Sequence, residues 1–183
     1  MKKLTLLAAV VALVLIGPVN PSSAIAPPVA DGCVDASPDG VDIDTLDVVS
    51  NGGTDLITVT MTLCAVPVDG AKYRVHFDYA DDLASGGNLL CETTSDDTSM
   101  LTRRNSLFKS TGPGTISVVG STITYVVPYA ALDAILEEGL SSGDDLEIWA
   151  DTHKRGIQDR APDTLDPCSK PQAAGEVLEI TLN

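Results

Sequence analysis

The segment 56-LITVTMTL-63 alternates without a break: Ile57, Val59, Met61 and Leu63 fall on one side of an extended chain, and Thr58, Thr60 and Thr62 on the other. A period of two belongs to a strand with one buried and one wet face, and a helix cannot satisfy it. The pattern returns in 72-KYRVHFDYA-80, with Tyr73, Val75, Phe77 and Tyr79 inward and Arg74, His76 and Asp78 outward, and in 176-EVLEITL-182, with Leu178, Ile180 and Leu182 inward. The run 115-TISVVGSTITYVVP-128 reads as a hairpin turning at Gly120-Ser121, and 43-IDTLDVVS-50 as a strand ending at Asn51-Gly52-Gly53. Helical spacing is confined to 129-YAALDAILEEGL-140, where Leu132, Ile135, Leu136 and Leu140 align. The stretches 81–88 and 95–106 read as loops. Short half-wet strands at this spacing predict an all-β fold: an antiparallel β-sandwich with one short helix.

The first residues set the expected compartment. Met1-Lys2-Lys3 is a basic head on the apolar run 4-LTLLAAVVALVLIG-17, followed by Pro18, Pro21 and small residues. That is the pattern of a signal peptide, too short for a membrane span and followed by no second apolar run. Cleavage after Ala24 is expected, leaving 25–183 as a single secreted domain. Without Lys2 and Lys3, nine basic residues face 26 acidic ones, a net charge near −17. That charge repels nucleic acid and anionic membranes, and neither is expected as a partner. The acids divide into 20 Asp and 6 Glu, which weights them toward turns, loops and short oxygen ligands rather than helix faces.

Cys33, Cys64, Cys91 and Cys168 all lie in the part expected to be exported, so an even count reads as two disulfides. Of three possible pairings the expected one joins Cys33 with Cys168 and Cys64 with Cys91. It would bring 31-DGCVDASPDGVDID-44 to the acidic loop 159-DRAPDTLDPC-168 and crowd Asp35, Asp39, Asp159 and Asp163 together. Carboxylates so placed repel one another unless a cation or basic side chains sit among them. Calcium, which takes six to eight oxygens in flexible geometry, is the expected cofactor, with Arg160 and Lys170 as the salt-bridging alternative.

In 146-LEIWADT-152 the alternation puts Leu146, Ile148 and Ala150 inward and groups Trp149 with Glu147 and Asp151 on the other face. Beside 73-YRVHFD-78, that face would combine Trp149 with Arg74, His76, Asp78, Glu147 and Asp151, an aromatic platform ringed by polar groups of the kind that holds sugars. Against this, tryptophan is mostly buried, and a one-residue bulge would return the ring to the core; burial in the core is the plainer expectation.

The segments 73-YRVHFD-78, 127-VPYAAL-132, 146-LEIWADT-152 and 159-DRAPD-163, in this order, resemble the DOMON-like and family 9 carbohydrate-binding-like β-sandwiches. The resemblance implies a jelly-roll-like sandwich of about nine strands, a ligand face on one sheet, and in some members a structural calcium ion. It implies no chemistry. Haem-holding relatives use histidine or methionine; His76 is available, but Met61 belongs to the inward face. Nor is catalysis suggested by the motifs: there is no GxSxG elbow, dinucleotide fingerprint, phosphate loop or zinc spacing, and Glu137-Glu138 sits on a helix face. The leading expectation is a secreted, non-enzymatic binding or accessory domain for a glycan or a cell-surface component. The alternatives are an interaction protein without a small ligand, and an enzyme gathering His76 or His153 with a carboxylate in a deep cleft.

Overall fold

The inward residues of the alternating segments meet in one core. Ile43, Leu46, Val48, Ile57, Val59 and Met61 face Tyr73, Val75, Phe77, Leu146, Ile148 and Ala150 within a single buried cluster. The computed structural model describes residues 23–33, 36, 38–79, 89–94, 97–104, 107–111, 114–136, 140–141, 143–161 and 178–182. Among these the elements run β1 (Ser23–Ile25), β2 (Val29–Ala30), a 3-10 turn (Asp39–Val41), β3 (Ile43–Asn51), β4 (Leu56–Leu63), β5 (Lys72–Tyr79), β6 (Leu89–Thr94), β7 (Asp97–Arg104), β8 (Leu107–Thr111), β9 (Thr115–Val119), β10 (Thr122–Pro128), α1 (Tyr129–Leu136), β11 (Asp145–Lys154), β12 (Ile157–Ala161) and β13 (Leu178–Thr181). Sheet A has the order β1-β3-β4-β10-β9, with β2 also on β3; sheet B has the order β12-β11-β5-β6-β7-β8, with β13 sharing an edge of β11. All pairings are antiparallel.

The turns follow from their residues. Gly120, at φ 61°, supplies the left-handed first position of the two-residue link between Val119 and Thr122, as the sequence predicts. Arg155 and Gly156, at φ 48° and 87°, close β11 onto β12 in the same tight manner.

Three expectations about elements change. The expected loop 95–106 contains β7, because 97-DTSMLTRR-104 lacks the apolar alternation that marks a strand, while neighbours on both sides satisfy its backbone. Asp159 lies on β12 rather than in a loop, paired residue by residue with β11. With these and the short β1 and β2, the described residues hold thirteen strands against about nine expected. The expected cut after Ala24 falls inside β1, so processing there would remove two of its three residues from the sheet.

The disulfide pairing is also corrected. Cys33 is bonded to Cys64, with Cα atoms 5.5 Å apart, which excludes both Cys33–Cys168 and Cys64–Cys91. The cause is the start of β3: Asp31 N–H donates to Asp44 O at 2.9 Å, and Cys64 N–H to Asp42 O at 2.9 Å, so residues 42–44 hold both cysteines alongside. Cys168 lies outside the described residues, as does the Cys91 side chain.

The 3-10 turn closes one end of the sandwich. Tyr73 OH donates to Gly40 O at 2.8 Å and accepts from Val68 N–H at 2.6 Å, and Thr152 Oγ1 donates to Val41 O. A Cβ on Gly40 would stand 2.3 Å from Val66 O, so no side chain fits there. Burial, the largest influence on the Tyr73 hydroxyl, raises its pKa above the ordinary 10.0.

Candidate functional site

β11 and β5 pair without a bulge from Leu146 opposite Tyr79 to His153 opposite Lys72. Alternation along both strands therefore carries through. Trp149 stands opposite His76, Asp151 opposite Arg74, and Glu147 opposite Asp78, on the face of sheet B turned away from the core. On the other side β12 sets Arg160 opposite Asp151. The burial expected for Trp149 is found, but its route differs: no bulge turns it inward, and the unbulged register leaves it outside the main core cluster. It is not an open platform either, since it is only 4% exposed. The His76 ring lies on it at 4.7 Å between centroids and 5° between planes, and the Arg160 guanidinium sits 5.7 Å from the ring centroid. Those stacking and cation–π contacts involve both strands flanking β11.

Asp151 ties this group together. One carboxylate oxygen lies 2.6 Å from Arg74 Nη2 and the other 2.5 Å from His76 Nε2. Burial alone would raise the Asp151 carboxyl, but the His76 hydrogen bond and the charges of His76, Arg74 and Arg160 outweigh it and hold the group below the ordinary 3.8. Arg74, His76 and Asp151 keep 20%, 14% and 13% of their side-chain surface in solvent. Glu147 is buried beside them. The Asp78 side chain lies outside the described residues. His76 and a carboxylate do meet, as an enzyme would require, but on a sheet face. With Nε2 on Asp151, the Nδ1 atom is buried and hydrogen-bonds to none of the described residues. His153 sits on β11 itself, not in a turn after it.

The residues expected to hold calcium are placed differently. Asp39 is exposed on the 3-10 turn. Asp159 is buried in β12, where one oxygen accepts the Ile43 N–H at 2.5 Å and the other the Arg160 N–H at 2.8 Å. It pins β12 to the first residue of β3, a structural task its position in sequence did not signal. Asp35 and Asp163 lie outside the described residues, and the bridge meant to gather all four uses a cysteine bonded elsewhere. The Asp44 carboxylate lies within 4.8 Å of the sulfurs of Cys33 and Cys64, but disulfide sulfurs are not thiolate ligands. Calcium is not carried forward from this arrangement.

Arg160 is the member of the cluster that sequence reasoning missed. Its segment reads as a loop in the sequence, and only the β11–β12 register places it beside Asp151 and Trp149. No protein-family model, curated protein or solved structure matches the chain. No helix among the described residues is long and apolar enough to cross a membrane.

Proposed function

We propose that the chain is an exported, non-enzymatic binding or accessory domain whose ligand is a carbohydrate met on the outer face of sheet B. The observation that carries this reading is the grouping of Arg74, His76 and Asp151, through one ion pair and one hydrogen bond on the same carboxylate, beside the only tryptophan. Guanidinium, imidazole and carboxylate are planar polar groups that pair with sugar hydroxyls, and Asp151, held ionised, stays an acceptor. Because His76 already stacks on Trp149, a sugar would engage the exposed polar edges rather than the ring face. The signal-like N-terminus and the Cys33–Cys64 bridge support export.

The test is electrophoresis of the folded, purified chain through native gels containing soluble xylan or laminarin. Retardation that Arg74→Ala weakens supports the reading; free migration in every polysaccharide overturns it. The closing of Trp149 by its neighbours favours a second reading, an interaction domain without a small ligand. On that reading no glycan changes mobility or the tryptophan emission.

A further inference from the structure

The turn between β3 and β4, the N-terminal half of α1 and residues 140–141 line an open groove that shares no residue with the cluster above. Its volume, 610 Å³, is within the usual range of ligand sites, and its walls include Asp55, Tyr129, Asp133, Leu140 and Ser141. We infer that this groove is a saccharide subsite, with Tyr129 as its aromatic wall and Asp55 and Asp133 as its hydroxyl acceptors.

Three contacts hold the walls in place before any ligand arrives. The Tyr129 hydroxyl is hydrogen-bonded to Ser50 Oγ on β3. Asp133 Oδ1 accepts the Leu140 N–H at 2.9 Å, which fixes the carboxylate at the rim. Tyr129 N–H donates to Asp55 O at 2.9 Å, which ties the turn to the helix start. Asp55 itself adopts φ 51°, a left-handed conformation uncommon for a residue other than glycine. The wall residues in the described chain include no lysine or arginine, so a phosphate or sulfate would meet two carboxylates and no counter-charge. A neutral sugar suits the set better: its C–H face lies on tyrosine and leucine, and its hydroxyls donate to the aspartates and exchange hydrogen bonds with the Ser141 hydroxyl. A tyrosine wall beside carboxylates, with no lysine or arginine among the wall residues, is what the face of sheet B lacks. The inference rests on the carbohydrate reading proposed above and assigns it a second, separate contact point.

The experiment is an amide-resolved NMR titration of the wild-type chain with cellohexaose and, separately, xylohexaose. Expected are shifts of residues 52–55, 129–133 and 140–141, and an affinity about tenfold lower in Tyr129→Ala, equivalent to about 1.4 kcal/mol. Asp55→Asn is the companion variant, because asparagine tolerates a positive φ and leaves the fold intact; it should weaken binding severalfold. Shifts confined to β5 and β11, with affinity unchanged in both groove variants, overturn the inference and leave the carbohydrate reading standing. No shift with either sugar overturns both. Shifts at the groove with spermidine but with neither sugar make it a cation groove and overturn the inference.

Discussion

Across the outer face of sheet A, one row of neighbours on four strands reads Asp47, Thr60, Thr124 and Ser117. The comparable row across sheet B reads Arg160, Asp151 and Arg74. Both rows arise from the same alternation against the same core. On sheet A the two middle residues of the row are half-exposed threonines, whose branched side chains suit a pleated surface and whose mutual contacts are interchangeable. On sheet B the outward residues are charged, largely buried and mutually dependent: Asp151 serves two partners, and Trp149 has a planar group on each neighbouring strand. Such a set is costly to desolvate, and an apolar patch of equal volume is often at least as stable. The difference teaches that only one face is made of parts that stability alone would not select.

The comparison breaks first at Asp151. Asp151→Ala leaves Arg74 and His76 partly buried without their anion, and urea unfolding should show a loss of about 3 to 5 kcal/mol. A double replacement, Asp151→Leu with Arg74→Leu, should recover most of that stability while removing ligand contact; equal instability in the double variant would mean that the charges are needed for the fold itself. Trp149→Leu ranks next, losing the His76 stack and the Arg160 contact, with an expected cost of about 2 kcal/mol. The acid limb comes third. Because the folded Asp151 carboxyl lies below 3.8, the wild type's advantage over Asp151→Asn is complete above that value and shrinks as pH falls through the lower, folded one. Parallel melts from pH 7 to pH 2 should run a constant distance apart at first and converge at the acid end. Smallest is the control on sheet A: Thr60→Val with Thr124→Val should shift stability by no more than about 0.5 kcal/mol in either direction. A larger loss there would show that the threonine face is as specified as its counterpart.

The all-β class and the strands β3, β4, β5, β9, β10 and β11 were legible because each puts an apolar residue at alternate positions against the core. So was the membership of Arg74, His76, Trp149 and Asp151 on one face, since period two and a shared sheet suffice to predict it. What covers Trp149 was not, because the His76 stack and the Arg160 contact depend on which residues of neighbouring strands stand opposite, and register is a long-range property. Arg160 and Asp159 were hidden for the same reason: 157-IQDRA-161 carries no alternation of its own and becomes a strand only by pairing with β11. Cysteine spacing likewise could not choose among three pairings; the hydrogen bonds of residues 42–44 do.

The 3-10 turn near the N-terminus has a consequence for the chain as it is made. Gly40, Val41 and Ile43 have backbone groups satisfied by side chains 33, 111 and 116 residues further on, from Tyr73, Thr152 and Asp159. A growing chain reaches residue 64 early and can link it to Cys33, but the partners of Val41 and Ile43 are synthesised 111 and 116 residues after them. Until then the turn holds polar groups that no neighbour completes, and closing loops of this length is entropically expensive. The stretch from Gly40 to Ile43 must therefore stay pliant until Thr152 and Asp159 have been made, and that later stretch is the one that locks the earlier.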